Sequence, residues 1–198
     1  SDGASTGASI SADGRYVVFD SRATNLTSLG TPPAVYQIFR RDLSTGVTEV
    51  VSKPYNGGTG GTHSSLLNGR GTNVSRDGRF IAYESDEFNL VSDYATTGNR
   101  QIYVRDMVTG VTTSLSLNLA GSALGNNSSV AARLSGNGKV VAFLSLATDL
   151  AANNTHGQPN IYRAAVPTPQ NPIADFDGDG LTDFSVFRPA SGTWFVLN

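Results

Sequence analysis

The apolar residues of this chain fall into short runs separated by polar, glycine-bearing stretches, and three of those runs copy one another. Arg15-Tyr16-Val17-Val18-Phe19-Asp20-Ser21, Arg79-Phe80-Ile81-Ala82-Tyr83-Glu84-Ser85 and Lys139-Val140-Val141-Ala142-Phe143-Leu144-Ser145 align position for position, about 60 residues apart. Runs this short, rich in β-branched and aromatic residues, predict strands. Each follows a turn pair, Asp13-Gly14, Asp77-Gly78 or Asn137-Gly138, which predicts a two-residue hairpin with positive φ in the turn.

A further strand recurs downstream in each copy: Gln37-Ile38-Phe39-Arg40-Arg41-Asp42, Gln101-Ile102-Tyr103-Val104-Arg105-Asp106 and Asn160-Ile161-Tyr162-Arg163. The first two continue through Leu43-Ser44-Thr45-Gly46 and Met107-Val108-Thr109-Gly110 into Val47–Val51 and Val111–Leu115. Each unit is thus expected to be a four-stranded antiparallel meander. Its strands are apolar on both faces, as in Tyr16 and Val18 against Val17 and Phe19, so both sides of each small sheet need cover. Stacking sheets radially, as propeller blades, supplies it.

These two motifs together resemble the TolB-type, WD-like β-propeller repeat of bacterial exported proteins. The resemblance covers residues 1–166 and implies an all-β fold of about three four-stranded blades, a partial propeller, in a secreted, periplasmic or cell-surface protein. Long-repeat members of that family carry an Asp/Asn-rich loop before the third strand. Here the matching loops read Gly30-Thr31-Pro32-Pro33, Ala95-Thr96-Thr97-Gly98 and Asn153-Asn154-Thr155-His156, which depart from it.

The third copy runs into Pro167-Thr168-Pro169-Gln170-Asn171-Pro172 where a turn and fourth strand would stand, so 167–173 reads as a linker. Three blades fall short of the 4–8 of a closed propeller. Either the chain continues in a longer protein or it assembles, for example as a dimer closing six blades. Ser1-Asp2-Gly3 reads as the middle of a repeat, with any leader expected upstream.

Composition narrows the partners. The net charge is −2 and the pI about 5.6, and no Lys/Arg run tracks a phosphate backbone, so nucleic acid is not expected. The apolar run Val140–Leu144 is far short of the ~20 residues of a membrane-spanning helix, and no membrane insertion is expected. With 0 cysteines the chain has neither disulfides nor thiolate chemistry.

The strongest chemical signal lies in 174–198. In Asp175-Phe176-Asp177-Gly178-Asp179-Gly180-Leu181-Thr182-Asp183, acidic residues occupy loop positions 1, 3, 5 and 9. That spacing wraps hard carboxylate oxygens and the Leu181 carbonyl around one Ca²⁺, and without a cation the like charges would repel. Val186 stands where an EF-hand has its bidentate Glu, and the strand-like Phe184-Ser185-Val186-Phe187 replaces an exiting helix. The segment instead resembles the FG-GAP repeat of integrin-like propellers. That resemblance implies a structural calcium held by Asp175, Asp177, Asp179, Leu181 and Asp183, followed by a β-hairpin that carries Trp194.

Catalytic signals are weak, and no catalytic residue is assigned. Gly3-Ala4-Ser5-Thr6-Gly7 fits the nucleophile-elbow pattern by letter but lacks its strand–turn–helix setting. His63 and His156 sit in polar loops, and Glu84, Asp86 and Glu87 are expected in a solvated loop. Tyr36, Tyr55 and Tyr94 are possible stacking platforms or inter-blade core. The expected function is a non-enzymatic binding or scaffold module for a protein or polysaccharide. The alternative is the propeller portion of a secreted polysaccharide-degrading enzyme or peptidase.

Overall fold

A computed structural model describes residues 1–28, 35–58, 61–67, 72–95, 97–152 and 157–167, together with the backbone of two strands near the C-terminus, 184–188 and 193–197. The chain divides into two compact units, Ser1–Val166 and Pro167–Asn198. No helix occurs among the described residues.

The first unit contains three antiparallel sheets in sequence order. β1 (Ser5–Ile10), β2 (Tyr16–Ser21), β3 (Gln37–Asp42) and β4 (Thr48–Val50) form the first. β5 (Ser65–Leu66), β6 (Phe80–Ser85), β7 (Gln101–Asp106) and β8 (Thr112–Ser114) form the second. β9 (Ser129–Leu134), β10 (Val140–Ser145) and β11 (Asn160–Ala165) form the third, which has three strands among the described residues. Prolines at 167, 169 and 172 follow β11, and a residue without an N–H cannot extend a ladder. In the second unit, β12 (Phe184–Arg188) and β13 (Thr193–Leu197) pair as a hairpin.

The turns differ from the expected two-residue type. Ser11 N donates to Tyr16 O and Gly14 N to Ser11 O, both at 2.9 Å, so four residues cross between β1 and β2. Gly14, Gly78 and Gly138 have φ near +72° to +75°, whereas Asp13, Asp77 and Asn137 do not enter the left-handed region. Those three side chains instead accept hydrogen bonds. Asp13 Oδ1 takes Ser11 Oγ (2.5 Å) and Arg15 N (3.0 Å), and the same pair of bonds recurs at Asp77 and Asn137. An Asx side chain that caps the turn makes a second positive φ unnecessary.

Face-to-face packing builds two cores. Val18, Ile38 and Val51 of the first sheet meet Ile81, Tyr83 and Tyr103 of the second. Ala82, Ile102 and Leu115 of the second sheet meet Leu134, Val141 and Phe143 of the third. Alternation along β6 therefore serves both neighbours at once, as expected for a strand buried on both faces. Glycine permits the close approach: an added Cβ on Gly78 would stand 2.1 Å from the Tyr16 ring, and one on Gly138 would stand 2.6 Å from the Phe80 ring. A stacked aromatic pair bridges the second and third strands of every sheet: Phe19–Phe39, Tyr83–Tyr103 and Phe143–Tyr162.

The leading strands of the sheets meet along one line. Asn73 Nδ2 donates to Ala82 O and Ala132 O, each at 3.1 Å, while Asn73 N donates to Ser9 Oγ at 3.3 Å. Leu134 N donates to Thr72 O at 2.9 Å. Consecutive meanders packed face to face, with their leading strands together, are the arrangement of a partial β-propeller.

Candidate functional site

The expected metal ligands Asp175, Asp177, Asp179, Leu181 and Asp183 lie outside the described residues, as does His156. The hairpin that follows them is seen as backbone, from Phe184 paired with Leu197 to Arg188 paired with Thr193, so the side chain of Trp194 is likewise outside. Among the described residues no group of three or more His, Cys, Asp or Glu gathers closely enough to hold a metal.

The acidic group of the second sheet is not the solvated loop its sequence suggests, because Glu84 and Glu87 are buried. Glu84, next to last in β6, lies with Phe80 and Ala82 on the face that meets the third sheet. Its Oε1 accepts Arg100 Nη1 (3.1 Å) and its Oε2 accepts Ala131 N (2.8 Å). Ala131 has φ of +60°, the one positive value outside glycine among the described residues, so the carboxylate holds a strained backbone turn of β9 in place. Glu87 Oε2 accepts His63 N (2.7 Å) and its Oε1 accepts Phe88 N (3.0 Å). It fits because Gly61 has no Cβ, which would stand 1.8 Å from Oε2. Both carboxylates join segments distant in sequence, an arrangement of structural cross-links.

The repeat carries further polar pairs in register. Serine hydroxyls bond across the first and second strands at Ser5–Ser21 (2.9 Å), Ser65–Ser85 (2.9 Å) and Ser129–Ser145 (2.8 Å). Ser5 therefore lies in a strand as one member of this ladder, away from any elbow. Gln37 and Gln101 are buried and accept Ser52 Oγ and Ser116 Oγ at 2.7 and 2.6 Å. Their amides donate to Gly61 O and Gly125 O on the way to the next sheet. Arg15 grips Asp42, and Arg79 grips Asp106, through Nε and Nη2. The Arg15 guanidinium holds the Asp42 carboxyl well below the usual carboxylate range. Burial pushes Asp106 up, but the Arg79 and Val108 hydrogen bonds outweigh it and leave this carboxyl below its ordinary value too.

The remaining candidates are spread over the surface. The His63 ring meets Phe88 edge-on at 4.2 Å, with Nδ1 3.1 Å from the Thr62 hydroxyl. Tyr36 lies under the Arg22 guanidinium, 4.4 Å from ring centroid to Cζ. Tyr94 donates its hydroxyl to Gly121 O at 3.3 Å. Tyr83 and Tyr103 fill the core, where burial raises both phenols, Tyr103 to about 12, out of range for proton transfer at neutral pH.

A cleft of about 240 Å³ opens on the second sheet. Leu90 and Val91 form its apolar wall, exposed Tyr55 its rim, and Asp93 and Arg105 its polar side. The backbone bond from Tyr55 N to Asn89 O (2.8 Å) ties the rim to the segment that carries Leu90 and Val91. Arg105 Nη1 is anchored on Thr112 Oγ1 (2.9 Å), and its guanidinium has no carboxylate within 4.0 Å among the described residues. No local run of residues announces this cleft, because its lining comes from three separate segments. Such a cleft offers an aromatic face, a donor and an acceptor to one small group of a ligand. Ser92 Oγ donates to Asp93 Oδ1 at 2.7 Å within the lining, an exposed hydroxyl–carboxylate pair, and the lining holds no histidine.

No family model matches the chain, and no curated protein does. Solved structures similar to it include TolB from Acinetobacter baumannii, 20% identical with a TM-score of 0.46. The likeness covers 81% of this chain and 29% of that one, so the chain spans less than a third of that protein. No described helix is long and apolar enough to cross a membrane.

Proposed function

We propose that this chain is a non-enzymatic binding or scaffold module acting outside the cytoplasm, with a protein or polysaccharide partner and a structural calcium ion in its C-terminal segment. One observation carries the reading. Glu84, Glu87, Gln37 and Gln101 are spent on bonds within and between sheets. A rigid framework with exposed loops and a small cleft remains. The Tyr55–Asp93–Arg105 cleft is the place on this framework best suited to one side group of the partner. The calcium rests on the oxygen spacing of Asp175, Asp177, Asp179, Leu181 and Asp183.

Two titrations test this reading. Binding to a panel of polysaccharides and polypeptides is measured for the chain and for Tyr55→Ala, alongside an assay for released sugars or cleaved peptide. The expected result is binding without product and weakening of about tenfold in the variant; turnover of any panel member contradicts it. Calorimetric titration with Ca²⁺ should give one site that Asp177→Ala abolishes, and equal heats for both proteins would remove the metal from the proposal.

A further inference from the structure

The cleft at Tyr55, Asp93 and Arg105 holds an unspent cation. Its wall residues Leu90 and Val91 pack in the core that the first and second sheets share. Arg105 stands near the end of β7, opposite Thr112 of β8. Its Nη1 donates to the Thr112 hydroxyl at 2.9 Å, which fixes the guanidinium. On the other edge, Nε is buried and meets no acceptor, and Nη2 makes no hydrogen bond among the described residues. That edge lies beside Gly110, a lining residue without a side chain, where an added Cβ would stand 3.7 Å from Nη2.

Two other arginines of the repeat show what such an edge takes. Arg15 uses Nε and Nη2 to grip Asp42 at 3.1 and 2.8 Å, and Arg79 uses the same two atoms on Asp106 at 3.0 and 2.8 Å. Arg105 presents that fork with no carboxylate of the described residues upon it. A guanidinium edge matches a carboxylate in two parallel bonds, and being planar and pre-organised it loses little freedom in making them. The rest of the lining is of another kind. Asp93, which accepts the Ser92 hydroxyl, keeps acceptor capacity toward the cleft, and Tyr55 at the rim is 59% exposed.

We propose that this cleft binds one uronate residue of an acidic polysaccharide: the sugar carboxylate pairs with the Nε–Nη2 edge of Arg105, ring hydroxyls donate to Asp93, and a C–H face of the ring lies on Tyr55. The inference rests on the reading of the chain as a binding module and names its ligand. Charge and shape select the occupant. An acidic side chain of a polypeptide matches Arg105 but brings no hydroxyl to Asp93 and meets its like charge. A neutral sugar serves Asp93 and Tyr55 but leaves Arg105 unpaired. A uronate carries the carboxylate and the hydroxyls on one rigid frame, which costs less to order than a flexible side chain. At about 240 Å³ the cleft is smaller than the usual site of a drug-sized ligand, which suits a single ring with the rest of the polymer outside.

Calorimetric titration of the whole chain with matched ligands tests the assignment. The ligands are a short cellouronate, its methyl ester, the cello-oligomer of the same length without carboxylates, and polyglutamate. The wild-type chain is expected to bind cellouronate at least about tenfold more tightly than the other three. Arg105→Gln should remove that preference, whereas Tyr55→Ala should weaken cellouronate and the cello-oligomer alike. Because Arg105→Gln also loses the bond to Thr112, nuclear magnetic resonance of the wild type locates the site independently: the Arg105 Nε proton should shift with cellouronate and stay in place with the cello-oligomer. Equal affinity for cellouronate and its methyl ester, or an Nε proton that cellouronate does not move, overturns the uronate site and leaves the binding-module reading standing. Tighter binding of polyglutamate also overturns it and gives the cleft to an acidic polypeptide. Absence of binding across a wide panel of polysaccharides and polypeptides removes the module reading itself, and the uronate site with it.

Discussion

Glycine and aspartate make their contributions at single positions that can be tested one by one. Gly110 and Gly138 share a left-handed φ of +72° and +75°, but a Cβ at Gly110 would meet only Arg105 Nη2 at an ordinary 3.7 Å, while one at Gly138 strikes the Phe80 ring. Alanine at Gly110 should therefore cost only the backbone strain of ~1–2 kcal/mol, and alanine at Gly138 should add a packing penalty of ~1–3 kcal/mol, read from urea unfolding. The arginine-gripped carboxylates set an acid limit. Asp42 and Asp106 titrate lower in the folded chain than their ordinary values. Their stabilisation is therefore complete above about pH 4 and is lost as the pH falls through the folded pKa. The urea midpoints of wild type and Asp106→Asn should converge as the pH drops below that value; a constant gap would assign the effect to something other than the carboxylate charge.

Among the elements, β6 and β7 carry the most because they are covered on both faces. Ile102 is fully buried between sheets two and three, and Ile102→Ala should lower stability by ~2–5 kcal/mol in denaturant titration. Native hydrogen exchange should find β6 and β7 the slowest, with β11 opening earlier, since β11 has no strand on its outer edge among the described residues and exposes Ile161. Equal protection of β7 and β11 would contradict that order. The second and third strands of each unit were legible in the sequence, because their apolar runs repeat in register with a turn motif, joined in the first two units by an Arg–Asp pair. β5 was not: Ser65-Leu66 is a two-residue polar–apolar strand whose pairing comes from its partner β6, not from any periodicity of its own. The Asp-Gly turn was read correctly as a turn but with the wrong geometry, since the aspartate acts through its side chain.

At the scale of the molecule, the sequence announced a stack of sheets without revealing what the stack would bury. Glu84 and Glu87 read as solvated because charged residues after a strand usually are. The next sheet decided otherwise by bringing Ala131 N, and its own sheet brought Arg100. The cleft at Tyr55, Asp93 and Arg105 was hidden for the same reason. We infer that the buried Glu84 and Glu87 are cross-links of the framework. Residues held in place for catalysis tend to cost stability, and removing them tends to restore it. Removing one partner of a buried, hydrogen-bonded ion pair does the opposite. Equilibrium urea unfolding of Glu84→Gln separates the two most directly. The account predicts a loss of ~1–3 kcal/mol, from the unpaired Arg100 and the weakened hold on Ala131; a variant as stable as the wild type, or more so, would contradict it.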